Sequence, residues 1–189
     1  MVYMKKILII DNYDSFVYNI YQYISSPEIH VDIRTNDNLT DLEPYDGYII
    51  SPGPGNPKNS EDRGGLYEFI DRNKEAKFLG VCFGNQILGY YLGSDITLSK
   101  RLMHGQPDTI SHGDSLLYRD VPEKFTAIRY HSLVLEPGSN IIVDAVSETD
   151  GEIMGFHSKD GRFFGVQYHP ESYYSEYGKQ IFKNFVDAI

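Results

Sequence analysis

The stretch that decides the fold is Phe78-Leu79-Gly80-Val81-Cys82-Phe83-Gly84-Asn85-Gln86. Its apolar run, Phe78 to Val81, predicts a buried strand, and residues 85–92 predict a helix. The cysteine then lies on the sharp turn that joins the strand to the helix. Gly80 and Gly84 provide the backbone freedom and the space that such a turn requires.

Cys82 is the only cysteine of the chain, and it has two interpretations. At a helix N-terminus, the unpaired N–H groups and the positive end of the helix dipole stabilise a thiolate, which lowers the pKa of a thiol from about 8.5. Cysteine is also among the most commonly buried residue types, so a purely structural role is the alternative. The G-x-C-x-G pattern does not decide between them without partners elsewhere in the chain.

Length and composition indicate a single domain over residues 1–189. A hydrophobic share of 41% and an aromatic share of 14% exclude a disordered or fibrous chain. The net charge of −10 and the scattered lysines and arginines exclude a typical nucleic-acid binder. No run approaches the roughly 18 apolar residues of a membrane span. A lone cysteine permits no internal disulfide, which favours a reducing compartment and hence the cytoplasm.

Strands and helices alternate in the first half of the chain. The pattern predicts strands at 6–10, 30–34, 48–50 and 78–81, and helices at 16–24, 66–73 and 85–92. Asp14 or Ser15 is the expected cap of the first helix. This alternation is typical of an α/β fold with a mostly parallel central sheet and flanking helices, in which ligands bind at the carboxyl ends of the strands.

The second half has shorter apolar runs, which are separated by Gly, Pro and Asp turns. They predict strands at 125–128, 141–143, 153–156 and 163–166. An amphipathic helix at 178–188 closes the chain, and Ser175 is its expected cap. We therefore expect a smaller, largely antiparallel sheet in this half.

His169 and Glu171 follow the strand at 163–166. Residues two apart in an extended chain share a face, and Pro170 biases His169 toward the extended region. A carboxylate beside an imidazole can set its tautomer and stabilise the imidazolium, as the third member of a set of nucleophile, base and orienter. A solvated polar loop is the alternative, but the cysteine at the predicted turn favours the catalytic interpretation.

The segment Ser51-Pro52-Gly53-Pro54-Gly55 follows the third strand, so it lies at the same edge of the sheet as Cys82. Prolines have no N–H group, so Gly53 and Gly55 are the donors of this stiff loop. One free amide here, next to the amide of Phe83, would form an oxyanion hole. A Pro/Gly turn that ends a strand is the commoner use of such residues, and both roles are compatible.

Six segments together resemble the class I (triad-type) glutamine amidotransferases. They are Asp11-Asn12-Tyr13-Asp14-Ser15-Phe16, Ser51-Pro52-Gly53-Pro54-Gly55, Gly80-Val81-Cys82-Phe83-Gly84-Asn85-Gln86, His104-Gly105, Tyr130-His131-Ser132-Leu133 and Gly165-Val166-Gln167-Tyr168-His169-Pro170-Glu171-Ser172. They occur in the family's order over nearly the whole chain. Within the family, the first segment resembles the subunits that serve chorismate-using synthases, those of anthranilate and of 4-aminobenzoate synthesis.

The resemblance implies a role for each matching residue. Cys82 would attack the side-chain amide of L-glutamine and carry a γ-glutamyl thioester. His169 would protonate the departing ammonia and then activate water, while Glu171 orients it. The amides of Gly53 and Phe83 would hold the oxyanion. The amino-acid end of glutamine would be bound by Gln86 together with the backbone of Ser132 and Leu133.

The resemblance also implies a partner, a chorismate-using synthase subunit that receives the ammonia. The expected product is anthranilate, for tryptophan synthesis, and 4-aminobenzoate, for folate synthesis, is the alternative. No cofactor is implied. The chain departs from the family at Asn85, where His is usual, at Gln106, where Lys commonly follows His104-Gly105, and at Tyr168, where Phe is usual. None of these changes removes a triad member, but Asn85 and Gln106 bear on how the partner is recognised.

Two alternatives from other functional classes stay open. A different cysteine hydrolase, such as a peptidase, could use the same turn, and a non-catalytic binding subunit could keep the same fold. The intact Cys82, His169 and Glu171 set disfavours the second alternative.

Further polar and aromatic residues have weaker signals. His104, His112 and His157 are widely spaced, so no metal site is expected. Asp11 and Asp14 would repel phosphate, which favours fold support or partner contact over a nucleotide site. Three tyrosines after the His169 segment are expected to pack or to line the rim of the site, with contact to a partner as the alternative, namely Tyr173, Tyr174 and Tyr177.

Overall fold

The computed structural model describes residues 4–189. Within this range the strands are β1 Lys5–Asp11, β2 Ile29–Thr35, β3 Gly47–Ile50, β4 Lys77–Val81, β5 Asp95–Leu98, β6 Gln106–His112, β7 Lys124–Arg129, β8 Leu133–Glu136, β9 Ile141–Ser147, β10 Ile153–Ser158 and β11 Phe163–Val166. The α-helices are α1 Val17–Ile24, α2 Ser60–Arg63, α3 Leu66–Arg72, α4 Phe83–Tyr91 and α5 Gly178–Asp187, and a 3₁₀ turn spans Leu116–Tyr118.

Nine of these strands form one mixed sheet in the order β2-β1-β3-β4-β11-β10-β9-β6-β7. The strands from β2 to β11 in this order are parallel, and the remaining four continue the sheet in antiparallel fashion. Strands β5 and β8 form a separate antiparallel pair. The predicted α/β class, with a parallel part and an antiparallel second half, is confirmed. The structure adds that most antiparallel strands extend the main sheet.

Helices cover both faces of the parallel part. Residues that alternate along β1 point to opposite sides: Ile7 and Ile9 pack with α1 and α5, whereas Leu8 and Ile10 pack with α3 and α4. A strand buried on both faces must be apolar throughout, which explains the continuous apolar runs of β1, β3 and β4. Within residues 4–189, no helix is long and apolar enough to cross a membrane.

Three expectations about helix ends were wrong. Helix α4 begins at Phe83, two residues earlier than expected, because it starts directly after the turn at Cys82. The cap position of α1 is Phe16, and Asp14 supports it by accepting a hydrogen bond from the Phe16 N–H at 2.6 Å. Ser175 does not cap α5. Its hydroxyl instead donates to the His169 carbonyl at 2.6 Å and accepts from the Ile128 N–H at 3.0 Å.

The carboxyl ends of four parallel strands meet at one edge of the sheet. The residues that follow β1, β3, β4 and β11 are Asn12, Ser51, Cys82 and Gln167. Asn12 ties the first two loops together, because its N–H donates to the Ser51 hydroxyl at 2.9 Å and its side-chain amide donates to the Ser51 carbonyl at 2.8 Å. This edge therefore holds the predicted site.

Candidate active site

Cys82 stands on a strained turn between β4 and α4. Its backbone has φ +52° and ψ −102°, in the half of φ space where non-glycine residues are uncommon. Such strain persists only where the surrounding structure imposes it, and it is concentrated at functional sites. The Cys82 N–H donates to the Val166 carbonyl at 2.8 Å, so the turn is anchored to β11. The side chain is 5% exposed, and its thiol is free.

The two glycines beside the turn are required by close packing of the backbone. A Cβ atom on Gly80 would lie 2.2 Å from the Gly84 carbonyl oxygen, and a Cβ atom on Gly84 would lie 2.2 Å from the Ile50 carbonyl oxygen. Real Cβ contacts are never so short, so α4 could not start against β3 and β4 with larger residues. The two glycines thereby allow the first turn of α4 to pack directly against the carboxyl ends of β3 and β4.

His169 and Glu171 form a buried pair after β11. The distance from His169 Nδ1 to Glu171 Oε1 is 2.6 Å, and both side chains are almost fully buried. The His169 backbone is held by its own N–H, which donates to the Ile128 carbonyl at 2.9 Å, and by the Ser175 hydroxyl. The predicted adjacency on one face is therefore present, and Glu171 sets which nitrogen of the ring faces away from it.

The other ring nitrogen, Nε2, has no hydrogen-bond partner within residues 4–189. Burial by itself lowers the pKa of His169, but the charges of Glu171 and Cys82 outweigh it and raise that pKa well above the usual value. The protonated imidazolium is therefore the favoured form of His169.

A cleft of about 200 Å³ opens in front of the sulfur. Its walls come from the loop after β3, the start of α4 and the segment after β7, namely Gly53, Pro54, Gly55, Cys82, Phe83, Gln86, Tyr130, His131, Ser132 and Leu133. Within residues 4–189 the N–H groups of Gly53 and Phe83 donate no hydrogen bond to the protein. Both amides line the same cleft as Cys82, and both are free to donate a hydrogen bond into it.

Gln86 has a fixed orientation in this cleft. Its side-chain NH₂ group donates to the Leu133 carbonyl at 2.8 Å and to Gln167 Oε1 at 3.2 Å. These contacts leave the side-chain amide oxygen of Gln86, Oε1, as the free polar atom of that side chain. The Leu133 carbonyl is occupied by this hydrogen bond from Gln86. The exposed Ser132 lies next to it at the rim of the cleft.

Tyr130 and Gln167 contact the sulfur, although no role could be assigned to them from their motifs. The Tyr130 carbonyl accepts from the Cys82 thiol at 3.7 Å, and its ring lies 5.2 Å from the His169 ring. Gln167 Nε2 donates to the same sulfur at 3.7 Å. A signal for Gln167 existed in the sequence, because it follows its strand directly, as Cys82 does, and the two strands are parallel neighbours.

Arg129 is fully buried behind the cleft, and no motif pointed to it. Its guanidinium contacts three carboxylates, those of Asp108 at 2.5 Å, Asp150 at 2.9 Å and Glu152 at 2.6 Å. Its Nε donates to His131 Nε2 at 2.9 Å. Burial and the Arg129 charge lower the pKa of His131 to about 3, so His131 is neutral and accepts this hydrogen bond.

The remaining predicted polar residues have structural partners. His112 stacks on Tyr118 with ring centroids 4.3 Å apart, and His157 pairs with Asp144 at 2.7 Å. His104 packs edge-on against the Tyr130 ring. The described part of the chain contains no group of three or more His, Cys, Asp or Glu residues arranged to hold a metal ion.

The two acidic residues of the first loop support its fold. Asp11 accepts from the Asp14 N–H at 3.0 Å, and Asp14 in turn accepts from Phe16. Burial raises the pKa of Asp14.

The three tyrosines that follow Glu171 lie in different settings. Tyr173 and Tyr174 are 86% and 75% exposed and lie edge-to-face against each other. Tyr177 is the left-handed cap of α5.

An α/β fold with a strained cysteine turn and a buried His–Glu pair behind it is the architecture of a nucleophile-elbow enzyme. The family model of the class-I glutamine amidotransferases matches residues 8–189. The chain belongs to this family, and it is a glutamine amidotransferase.

Curated relatives cover nearly the whole chain. It is 40% identical to anthranilate synthase component 2 of Cyanophora paradoxa, over 97% of this chain and 99% of that protein. It is 34% identical to aminodeoxychorismate/anthranilate synthase component 2 of Bacillus subtilis, over 96% of both chains. It is also 40% identical to bifunctional protein TrpGD of Thermotoga maritima over 98% of its length, and it spans 33% of that longer protein.

A solved structure has the same fold. The crystal structure of a glutamine amidotransferase from Thermotoga maritima superposes with a TM-score of 0.76, over 98% of this chain and 82% of the other, at 20% identity. Likeness at this identity concerns the fold alone.

Proposed function

We propose that this chain is the glutaminase subunit of a chorismate-using synthase. It hydrolyses L-glutamine through a Cys82 thioester and delivers ammonia to the synthase subunit. The observation that carries the proposal is the strained Cys82 turn, which faces a cleft with two free amides and has the His169–Glu171 pair behind it. The cysteine serves as a nucleophile, so a reducing compartment, the cytoplasm, is the place we assign to the reaction.

Acylation follows from the charge arrangement. The Cys82 thiolate attacks the side-chain amide carbon of glutamine and forms a C–S bond, while the carbonyl electrons move to oxygen. The amides of Gly53 and Phe83 donate to that oxyanion. The intermediate collapses as the C–N bond breaks, and the His169 imidazolium gives its proton to the leaving nitrogen, which departs as ammonia.

Deacylation uses the same groups in reverse. Neutral His169 takes a proton from water, and the resulting hydroxide adds to the thioester carbon. The C–S bond then breaks, glutamate leaves, and the thiolate–imidazolium pair is restored. Glu171 supports both steps because it holds Nδ1 and stabilises the positive charge on the ring.

The amino-acid end of glutamine binds at the other end of the cleft. The free carbonyl oxygen of Gln86 is an acceptor and therefore suits the ammonium group of the substrate. The backbone of Ser132 and Leu133 completes this end. A peptidase on the same turn is less well supported, because the family of the chain is that of amidotransferases.

The synthase subunit is the partner that this chemistry calls for, since free ammonia is protonated in bulk water. Anthranilate is the product we favour, because the relative from Cyanophora paradoxa carries that name. The relative from Bacillus subtilis is named for both aminodeoxychorismate and anthranilate, which supports the 4-aminobenzoate route as the second candidate. The exposed Tyr173 and Tyr174, two and three residues beyond Glu171, suit a docking surface because tyrosine is enriched at interfaces.

The proposal is tested by reconstitution. The chain is mixed with the chorismate-using synthase subunit that co-purifies with it, and glutamate release and the aromatic product are measured with glutamine and chorismate. We expect the partner to raise glutamate release by about tenfold or more and anthranilate to be the product. Formation of aminodeoxychorismate in place of anthranilate would reassign the partner to the 4-aminobenzoate route. Absence of glutamate release with every such partner would overturn the proposal.

Replacing Glu171 by Gln is expected to lower kcat/KM for glutamine by about 10²- to 10⁴-fold, because a neutral amide no longer selects the tautomer of His169. The Glu171 charge raises the pKa of His169, so its loss lowers that pKa. The imidazolium is then lost at lower pH, and the alkaline limb of the pH–rate profile moves toward acid.

The matched control is Glu176→Gln. Glu176 is an exposed carboxylate five residues away that accepts from the Thr126 N–H at 2.7 Å. We expect its kcat/KM and its pH–rate profile to match the wild type. An unchanged alkaline limb in Glu171→Gln would contradict the role of Glu171.

A further inference from the structure

Gln167 is a buried residue at the reacting sulfur. It is 0% exposed and follows β11 directly, and its backbone N–H donates to the Met154 carbonyl at 2.9 Å. Its side-chain Nε2 lies 3.7 Å from Cys82 Sγ. An amide N–H donor at this distance interacts more favourably with a thiolate than with a neutral thiol, because the donor hydrogen carries positive charge.

The orientation of this amide is set by two other donors. Gln167 Oε1 accepts from Asn85 Nδ2 at 3.1 Å and from Gln86 Nε2 at 3.2 Å. An amide oxygen can only accept, and an amide NH₂ group can only donate. With both donors on the oxygen side, the NH₂ group of Gln167 must face the sulfur.

Asn85 occupies a buried space beside Gly165. It is 0% exposed in the first turns of α4, and within residues 4–189 its Oδ1 has no hydrogen-bond partner. A Cβ atom on Gly165 would lie 2.4 Å from that oxygen, so the glycine leaves the space that Asn85 occupies. The fold tolerates a buried oxygen without a partner while the NH₂ group is directed at Gln167.

We propose that Gln167 stabilises the Cys82 thiolate by donating a hydrogen bond to it, and that Asn85 is the positioning residue that orients Gln167. The assignment of the reaction rests on the proposed function, whereas the hydrogen bond to sulfur does not. It acts together with His169, and it opposes the Tyr130 carbonyl, which accepts the thiol proton and so favours the neutral form.

The test is the pH dependence of Cys82 alkylation by iodoacetamide. The chain has one cysteine, so the signal reports on this thiol alone, and neither glutamine nor a partner is needed. Gln167→Met removes the donor at similar volume. We expect the midpoint of the alkylation curve to rise by about one pH unit. Asn85→Ala keeps Gln167 and is neutral, and we expect a smaller rise because Gln86 still holds the oxygen.

The charged groups that act on the sulfur stay in place in both variants. His169 interacts directly with Cys82, while Glu171 and Asp14 act on His169. The control is Asn184→Ala, which removes another buried amide, one that donates to the Leu117 and Arg119 carbonyls under α5. We expect it to lower the melting temperature and to leave the midpoint unchanged.

The outcomes separate the two proposals. A midpoint in Gln167→Met within about 0.2 pH units of the wild type, or an equal rise in Asn184→Ala, would overturn this inference. If Gln167→Met does not fold, an alkylation midpoint in Asn85→Ala equal to that of the wild type would overturn the inference. A raised midpoint in a chain that never releases glutamate would sustain the role of Gln167 and overturn only the proposed function.

Discussion

Cys82→Ser is expected to lower glutamine-dependent product formation by about 10⁴- to 10⁶-fold, the range for loss of an activated nucleophile. A hydroxyl has a far higher pKa than a thiol, so the His169 imidazole cannot hold it as an anion. The same complex supplied with ammonium salts at alkaline pH should keep its rate of aromatic product formation. Ammonia then enters the synthase subunit without passing the thioester.

The measurement is a paired assay of one complex with glutamine and with ammonium chloride. Unchanged thermal unfolding of Cys82→Ser provides the control for folding, since serine can replace the small thiol at the same backbone position. Loss of both activities would point to a disrupted interface with the partner. Retained glutamine-dependent activity would show that Cys82 is not the nucleophile.

Arg129→Met is expected to lower the free energy of unfolding by about 3–5 kcal/mol, the usual cost of removing one partner from a buried ion network. The substitution leaves the carboxylates of Asp108, Asp150 and Glu152 without their counter-ion. It also removes the donor to His131, which lines the cleft. We therefore expect the KM for glutamine to rise as well.

The comparison variant is Arg162→Met. Arg162 also pairs with carboxylates, those of Asp160 at 2.6 Å and Glu75 at 3.0 Å, but its partners are exposed. Surface ion pairs contribute about 0–1 kcal/mol, so this variant should unfold within about 1 kcal/mol of the wild type. Urea unfolding measures both. Equal effects of the two substitutions would contradict a structural role for the buried network.

Elements with a strong local signal were predicted well. The apolar runs of β1, β3, β4 and β11 indicate buried parallel strands, because a strand covered on both faces is apolar at every position. Helix ends were predicted less well. Ser175 has the residue type of a cap, but its hydroxyl bonds to the backbone of β7 and of His169. A residue type describes what a side chain can bond to, and tertiary contacts select the partner.

The features of the site also differ in whether the sequence could predict them. The turn at Cys82 and the contact of His169 with Glu171 could be predicted because both depend on local features, a strand-to-helix turn and an extended His-Pro-Glu segment. Arg129 could not be predicted, because its three carboxylate partners are 21–23 residues away along the chain, one within β6 and two between β9 and β10. Nothing in the order of residues brings one guanidinium to three carboxylates.

The turn at Cys82 shows which features follow from the sequence and which depend on the tertiary structure. The sequence by itself determined the glycines, the apolar strand and the cysteine, and with them the place of the proposed nucleophile at the edge of a parallel sheet. Only the tertiary structure decided what surrounds the sulfur. Asn85 had no role that its motif could assign, and in the fold its side chain donates to Gln167, a residue 82 positions away. Hydrogen-bond direction between buried amides depends on which groups meet in space, and the folded chain alone sets that.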